Sequence, residues 1–388
     1  MDPSLGTTAF QAGQKNEEQD HVLGSLQEHT SELNQADLEY IHSLADDLHK
    51  SVANSSPEVE PVQLYEGGIL TTANHRSWYR NVHPVTWVHK IYKSHHFGNY
   101  VVCNRASQKL QHLFLEESLK QGKHFDAPES VSQIPHFVKT YKLDLTDLLE
   151  PDIANYGNFN EFFSRKLKPD ARLIAEKNDP NIITSAADSR LSCFESVSSA
   201  TEFWIKGQSF TIGRLLQDEA LAAQFDDGSL AVFRLAPQDY HRFHSPVQGT
   251  IATQPVNLGG TYFTVNPMAV NENLNVFTEN VRTVSVINLD QQQDGGDGAG
   301  VARNEAFDQC VFVSIGALLV GSIKLTGAAG SGNKVNKGDE LGYFAYGGST
   351  CILLFKKGAV TFDKDLLANS KMKLETLVRV GEHIGTRC

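Results

Sequence analysis

Apolar residues are spaced in three successive ways along the 388-residue chain. Residues 1 to 60 are rich in Gln, Glu, Asp, Ser and Asn. They hold one helical spacing, Leu33, Leu38, Ile41, Leu44 and Leu48. The flanks of that spacing are too polar to bury a core, which predicts a largely disordered tail carrying one weak helix. Residues 61 to 150 read as mainly helical. Asn104 to Lys120 places Ala106, Leu110, Leu113, Phe114 and Leu119 on one face, and a second apolar group runs from Ile134 to Leu148. A short stripe follows, Phe159, Phe162, Phe163 and Leu167, which Pro169 stops.

Beyond Asp170 the apolar runs shorten to strand length. They recur at Leu191 to Val197, Leu230 to Leu235, Val281 to Ile287, Val311 to Leu319, Leu341 to Phe344 and Cys351 to Phe355, separated by Gly, Asn, Pro and Asp. Asp290 to Gly300 reads as a low-complexity surface insertion. The fold class is therefore α+β: an α-rich N-terminal region and a mostly β core over residues 151–388. Two segments, Ser245 to Ile251 and Val335 to Tyr343, resemble the turns of biotinyl/lipoyl-type hairpins. They predict a barrel-sandwich-like core and raise a carrier or structural reading. A carrier needs a modified lysine at an exposed hairpin tip, and no such tip is visible.

Charge and composition narrow the function classes. A net charge of −12 argues against a nucleic-acid partner, because phosphate recognition draws on Lys and Arg. The five cysteines are scattered and odd in number, which fits a reducing compartment without a disulfide framework. Met1 to Glu18 lacks an apolar signal core, and no apolar run reaches the about 18 residues of a membrane span. The expectation is a cytoplasmic chain that meets any lipid as a peripheral protein. Tyr65 to His96 bears on that point, mixing Trp78, Tyr79, Trp87 and Tyr92 with Arg76, Arg80, Lys90, Lys93 and five histidines. Such a segment serves either as an ordinary helical layer or as a membrane-facing surface.

Three clusters carry candidate chemistry. Asp188 stands among small residues in Ser185-Ala186-Ala187-Asp188-Ser189-Arg190, a position that a turn former also fills. Leu235 to Pro246 packs Asp239, Tyr240, His241, Arg242 and His244 between two prolines. His-x-x-His there lacks a further ligand at metal spacing, so no metal is expected. Third is Tyr346-Gly347-Gly348-Ser349-Thr350-Cys351, between two β-type runs, which reads most simply as a Gly-Gly hairpin turn. Asp, His and Ser supply a carboxylate, a base and a hydroxyl nucleophile. A hydrolase nucleophile elbow would read Gly-x-Ser-x-Gly before a helix, whereas Ser349 precedes a strand.

The chain resembles the phosphatidylserine decarboxylase family. The resemblance rests on Phe159 to Pro169, Ala187 to Arg190, Ala236 to Pro246, Phe263 to Val270, Gly316 to Ile323, Lys337 to Phe344 and Gly347-Gly348-Ser349-Thr350, all in family order. It implies a self-processing proenzyme cut between Gly348 and Ser349, leaving a β chain that ends at 348 and an α chain of 349–388 that stay associated. Ser349 would become the pyruvoyl cofactor, which condenses with a substrate amine. His244 would act as base, oriented by Asp188, and His241 would return a proton to the substrate carbon. Arg242 and nearby Phe and Tyr residues would line the pocket. The implied substrate is phosphatidylserine at a membrane surface; soluble relatives point instead to a free, for example aromatic, amino acid. A homo-oligomer stays open.

Overall fold

The structure is a computed structural model. It describes residues 82–84, 122–203, 210–260, 276–290, 308–316, 322–345, 349–372 and 374–388. The tail expected over 1–60, the segment at 65–96 apart from 82–84, the helix at 104–120, the insertion from 291 and Gly348 itself lie outside them.

Sixteen strands are formed by the described residues: β1 (Val82–Pro84), β2 (Ile182–Thr184), β3 (Ser189–Phe194), β4 (Ser229–Leu235), β5 (Arg242–His244) and β6 (Gly249–Ile251). Next come β7 (Val256–Leu258), β8 (Arg282–Leu289), β9 (Gln309–Gly316), β10 (Ile323–Leu325) and β11 (Lys334–Val335). The last are β12 (Glu340–Phe344), β13 (Ser349–Phe355), β14 (Val360–Phe362), β15 (Leu374–Val378) and β16 (His383–Arg387). Ten of them make an open antiparallel sheet in the order β1-β15-β3-β4-β13-β9-β8-β6-β11, with β7 also on β8. Two three-stranded sheets, β10-β12-β5 and β14-β16-β2, complete the β part. The α+β class is thus observed, with sheets that do not close into a barrel.

Strand β13 lies at the middle of the large sheet, and all seven of its residues are buried. Alternation explains why its sequence reads as a continuous apolar run and not as a one-sided pattern. Cys351, Leu353 and Phe355 join one core with Phe233, Phe243 and Phe312. Ile352 and Leu354 face the opposite core with Val232, Val311 and Ile315.

A third core gathers the aromatic stripe. Helix α1 (Ile134–Tyr141) packs Ile134 and Phe137 against Phe159, Phe162 and Phe163 of helix α2 (Phe159–Phe163). Asn158 caps α2 by accepting from the Glu161 N–H, a donor that a helix start leaves bare, and Glu161 reaches back to the Gly157 N–H just ahead of the cap.

The two segments that resemble hairpin turns lie against each other. β6 pairs β11 through Thr250 with Lys334 and Gly249 with Val335, and β5 pairs β12 beside them. Lys337 in this pair is 1% exposed, and its ammonium donates to the carbonyls of Ala175, Glu176 and Asp179. It ties the 175–179 loop to the sheet and is no exposed carrier lysine. The Gly-Gly hairpin reading also fails, because β12 and β13 are not partners: β12 pairs β5 and β10, whereas β13 pairs β4 and β9.

Candidate active site

Ser349 opens β13, opposite Leu235 of β4 and Gly316 of β9. It is fully buried, and its Oγ has no hydrogen-bond partner among the described residues; the same holds for Thr350 Oγ1 and His241 Nε2. Orphaned buried polar atoms cost about 1–3 kcal/mol each, so these hydroxyls, one on each face of the β13 head, and the His241 ring nitrogen are not there for stability alone. Alternation sends Ser349 towards the core of Leu235 and Phe233, and Thr350 to the opposite face, in register with Arg234. Arg234 on that face is held by both oxygens of the buried Glu375.

His241 precedes β5. A carbonyl only accepts, so the Nδ1 contact of 2.9 Å to Asp239 O fixes the proton on Nδ1 and leaves Nε2 as a lone pair. The ring lies against Phe163, centroids 4.0 Å apart. Burial, helped by the nearby Arg165 charge, pushes its pKa down to about 3, so it is neutral at pH 7. Arg165 itself is buried and donates to the carbonyls of Phe163, Gln238 and Asp239.

His244 closes β5, and its backbone N–H donates to Ala186 O, which sets the strand beside the Asp188 turn. Its Nδ1 donates to Gly338 O at 2.8 Å, again leaving Nε2 unprotonated, the tautomer that a general base requires. Burial lowers its pKa, opposed by the Gly338 bond and the charges of Glu340 and Asp188.

Asp188 makes no hydrogen bond to His244. Its carboxylate accepts from Arg172 Nε at 3.0 Å, from Arg172 Nη2 and from the Val380 N–H at 2.9 Å. Its charge reaches the imidazole through space alone. The resemblance pairs Asp188 with His244; Arg172, the partner seen here, lies in a polar loop with no periodicity to single it out. Arg242 is committed elsewhere: Nε donates to Ser164 O, Nη1 pairs with Glu340, and the guanidinium covers the Tyr343 ring.

Two tethers hold β5 near the head of β13. Phe344 N donates to His241 O, and Ala345 precedes Ser349 by four residues, a reach of at most about 14 Å. Leu235, opposite Ser349, begins the run that leads through Asp239 to His241.

Fold and site together define an α+β protein with a buried, hydroxyl-bearing strand head at the centre of its main sheet and two neutral histidines on β5, a strand of a second sheet, and its approach. Comparison supplies the lineage. The family model described as phosphatidylserine decarboxylase matches residues 159–386, and the chain belongs to that family.

Among its relatives, phosphatidylserine decarboxylase proenzyme 2 of Komagataella phaffii is 45% identical over 308 residues, covering 79% of this chain and 28% of that protein. Proenzyme 2 of rice (Oryza sativa subsp. japonica) is 48% identical over 271 residues, 69% of this chain and 40% of that protein. The bacterial proenzyme of Fusobacterium nucleatum is 37% identical over 264 residues, 68% of this chain and 81% of that protein. The chain thus spans between a quarter and two-fifths of the fungal and plant relatives named here. Among the described residues, no helix is long and apolar enough to cross a membrane.

Proposed function

We propose that this chain carries a self-cleaving, pyruvoyl-dependent decarboxylase that converts phosphatidylserine to phosphatidylethanolamine and CO2. The observation that supports it most directly is the buried Ser349 Oγ without a partner, at the head of the central strand of a chain in this family. Catalytic roles fall to Asp188, His241, His244 and Ser349. His244, as the neutral Nδ1-H tautomer, takes the Ser349 hydroxyl proton. The freed oxygen attacks the Gly348 carbonyl carbon, and the Gly348–Ser349 amide becomes an ester with a free amine at residue 349. Loss of the residue-349 Cα proton expels the Gly348 carboxylate; water then replaces the amine, which leaves as ammonia.

The residues present fit the resulting group: Ser349 is enclosed, and no described residue bonds its hydroxyl. When formed, the pyruvoyl group supplies an electron sink for the carbanion left as CO2 departs. His241 presents a lone pair at Nε2, so it takes up a proton before it can deliver one to the substrate carbon. Asp188 holds Arg172 and Val380, and through them the loops around β5.

Denaturing electrophoresis with mass spectrometry tests the processing. The wild-type chain should yield a fragment of residues 349–388, lighter by one ammonia than a serine-initiated peptide, and Ser349→Ala should remain whole. An uncut wild-type chain removes the reading. Release of CO2 from phosphatidylserine vesicles, against free serine and tryptophan, tests the substrate. A cleaved protein that ignores the vesicles and turns over a free amino acid overturns the lipid assignment.

A further inference from the structure

The bond expected between base and nucleophile is absent at both ends. A serine ready to react donates to the lone pair of its base. Here Ser349 Oγ has no partner among the described residues, and His244 Nε2 lies 3.2 Å from the Tyr240 hydroxyl. The direction of that second bond is fixed by the first: Gly338 O claims the proton on Nδ1, so Nε2 accepts and the phenol donates.

We propose that Tyr240 is a latch on the base, its hydroxyl occupying the His244 Nε2 lone pair in the uncleaved chain and giving way before Ser349 can be deprotonated. This rests on the reading of His244 as the base. Tyr240 is well placed for the role. It is 6% exposed, and its ring lies over the imidazole at 5.7 Å with 27° between planes, so the two side chains stay together without the hydroxyl.

The charges around the pair pull in both directions. Glu340 on β12 and Asp188 before β3 face both rings, as does Arg242 from β5, with Arg172 near the phenol. Burial is the largest influence on both: with Glu340 and Asp188 it keeps the phenol protonated and therefore a donor, and against them it keeps the imidazole neutral and therefore an acceptor. The resting state is consequently the latched one throughout the physiological range. Tyr240 is a positioning residue, since it acts through His244 and not on the scissile bond.

Tyr240→Phe removes the hydroxyl and keeps the stacked ring. The full chain, made by cell-free translation, is followed by release of the 349–388 fragment between pH 5.5 and 9. Cleavage near neutrality should run roughly three- to tenfold faster, the equivalent of one hydrogen bond. The midpoint of the acid limb should rise by about half to one unit, because a donor to the lone pair favours the neutral ring.

The imidazole ¹⁵N titration of His244 in the uncleaved Ser349→Ala chain reads the same bond without any cleavage, and also reports whether the variant is folded. It should show the same upward shift. Equal or slower cleavage with an unmoved acid limb, or an unchanged imidazole titration, overturns the latch. The two levels separate cleanly. If His244→Ala cleaves at the wild-type rate, the base reading falls and the latch with it; if His244→Ala is inert while Tyr240→Phe matches wild type, only the latch falls.

Discussion

Asp188→Asn separates two roles for one carboxylate. Asp188 joins three stretches of chain: the loop carrying Arg172, the start of β3, and the Val380 turn between β15 and β16. An amide keeps an acceptor for the Val380 N–H but turns an uncharged group towards the guanidinium. Hydrogen bonds to charged groups are worth about 1.5–3 kcal/mol each, and breaking a buried pair costs about 3–5 kcal/mol. Here the side chains of Arg172 and Asp188 retain 15% and 13% exposure, and Arg172 keeps a second partner in Asp147 at 3.0 Å. Those two features reduce the expected loss to about 2–3 kcal/mol.

For a core of this size each kcal/mol moves Tm by about 2–4 °C, so Asp188→Asn should lower Tm by about 4–12 °C. Thermal unfolding followed by circular dichroism in the Ser349→Ala background measures this without interference from cleavage. A double-mutant cycle with Arg172→Met should return a coupling of about 2 kcal/mol. If instead the coupling falls below about 0.5 kcal/mol and Asp188→Asn blocks cleavage at unchanged Tm, the loop-clamping role is refuted. The direct Asp188–His244 contact that the structure lacks would then have to form on the way to reaction.

Two further outcomes concern His241 and the Gly338 carbonyl that holds His244. His241 has its pKa lowered from 6.5 to about 3, so the unfolded chain takes up the proton first as pH falls. Its contribution to stability is whole above the unfolded value and drains away towards the folded one, by up to about 1.4 kcal/mol per pH unit. His241→Gln should flatten the decline of the urea midpoint over that window, with His244, shifted the same way, retaining part of the slope. Gly338→Ala forces a side chain into a backbone with φ of +86° and sets its Cβ 2.5 Å from Ile174 Cδ1, while disturbing the carbonyl that holds His244. It should cost about 1–2 kcal/mol or more by chemical denaturation and slow the appearance of the 349–388 fragment.

The elements most legible in the sequence were those whose burial leaves a local signature. The stripe Phe159, Phe162, Phe163 became a capped helix with both of its last phenylalanines fully buried. The runs at Leu230 to Leu235 and Cys351 to Phe355 became β4 and β13, adjacent strands covered on both faces. What escaped was tertiary. Arg234 and Glu375 pair across 141 positions, and Arg172 finds Asp188 through a loop whose composition says only that it is polar. The Gly347-Gly348 stretch looked like a hairpin because two strands flank it, yet sheet membership is settled by distant partners. Likewise, the echo between Ser245–Ile251 and Val335–Tyr343 is a real juxtaposition of two strand pairs, but β6–β11 lies in the large sheet and β5–β12 in a three-stranded one, and neither closes into a barrel.

That difference in sheet membership bears on the proposed cleavage. A cut through a hairpin loop severs the connection between strands that hold each other. A cut at 348–349 severs a crossing between sheets, and every ladder on either side survives it. β13 keeps its seven-residue registers with β4 and β9, β15 keeps β1 and β3, and β16 keeps β2, all contributed by residues before 348. The 349–388 segment therefore has its partners on both edges before and after the bond breaks. Its new N-terminus would not fray, because residue 349 is pinned between Leu235 and Gly316 at the buried end of the central strand. A carbonyl group made there inherits the enclosure that Ser349 now has, which is where a group meant to hold electrons from a departing CO2 is best shielded from water.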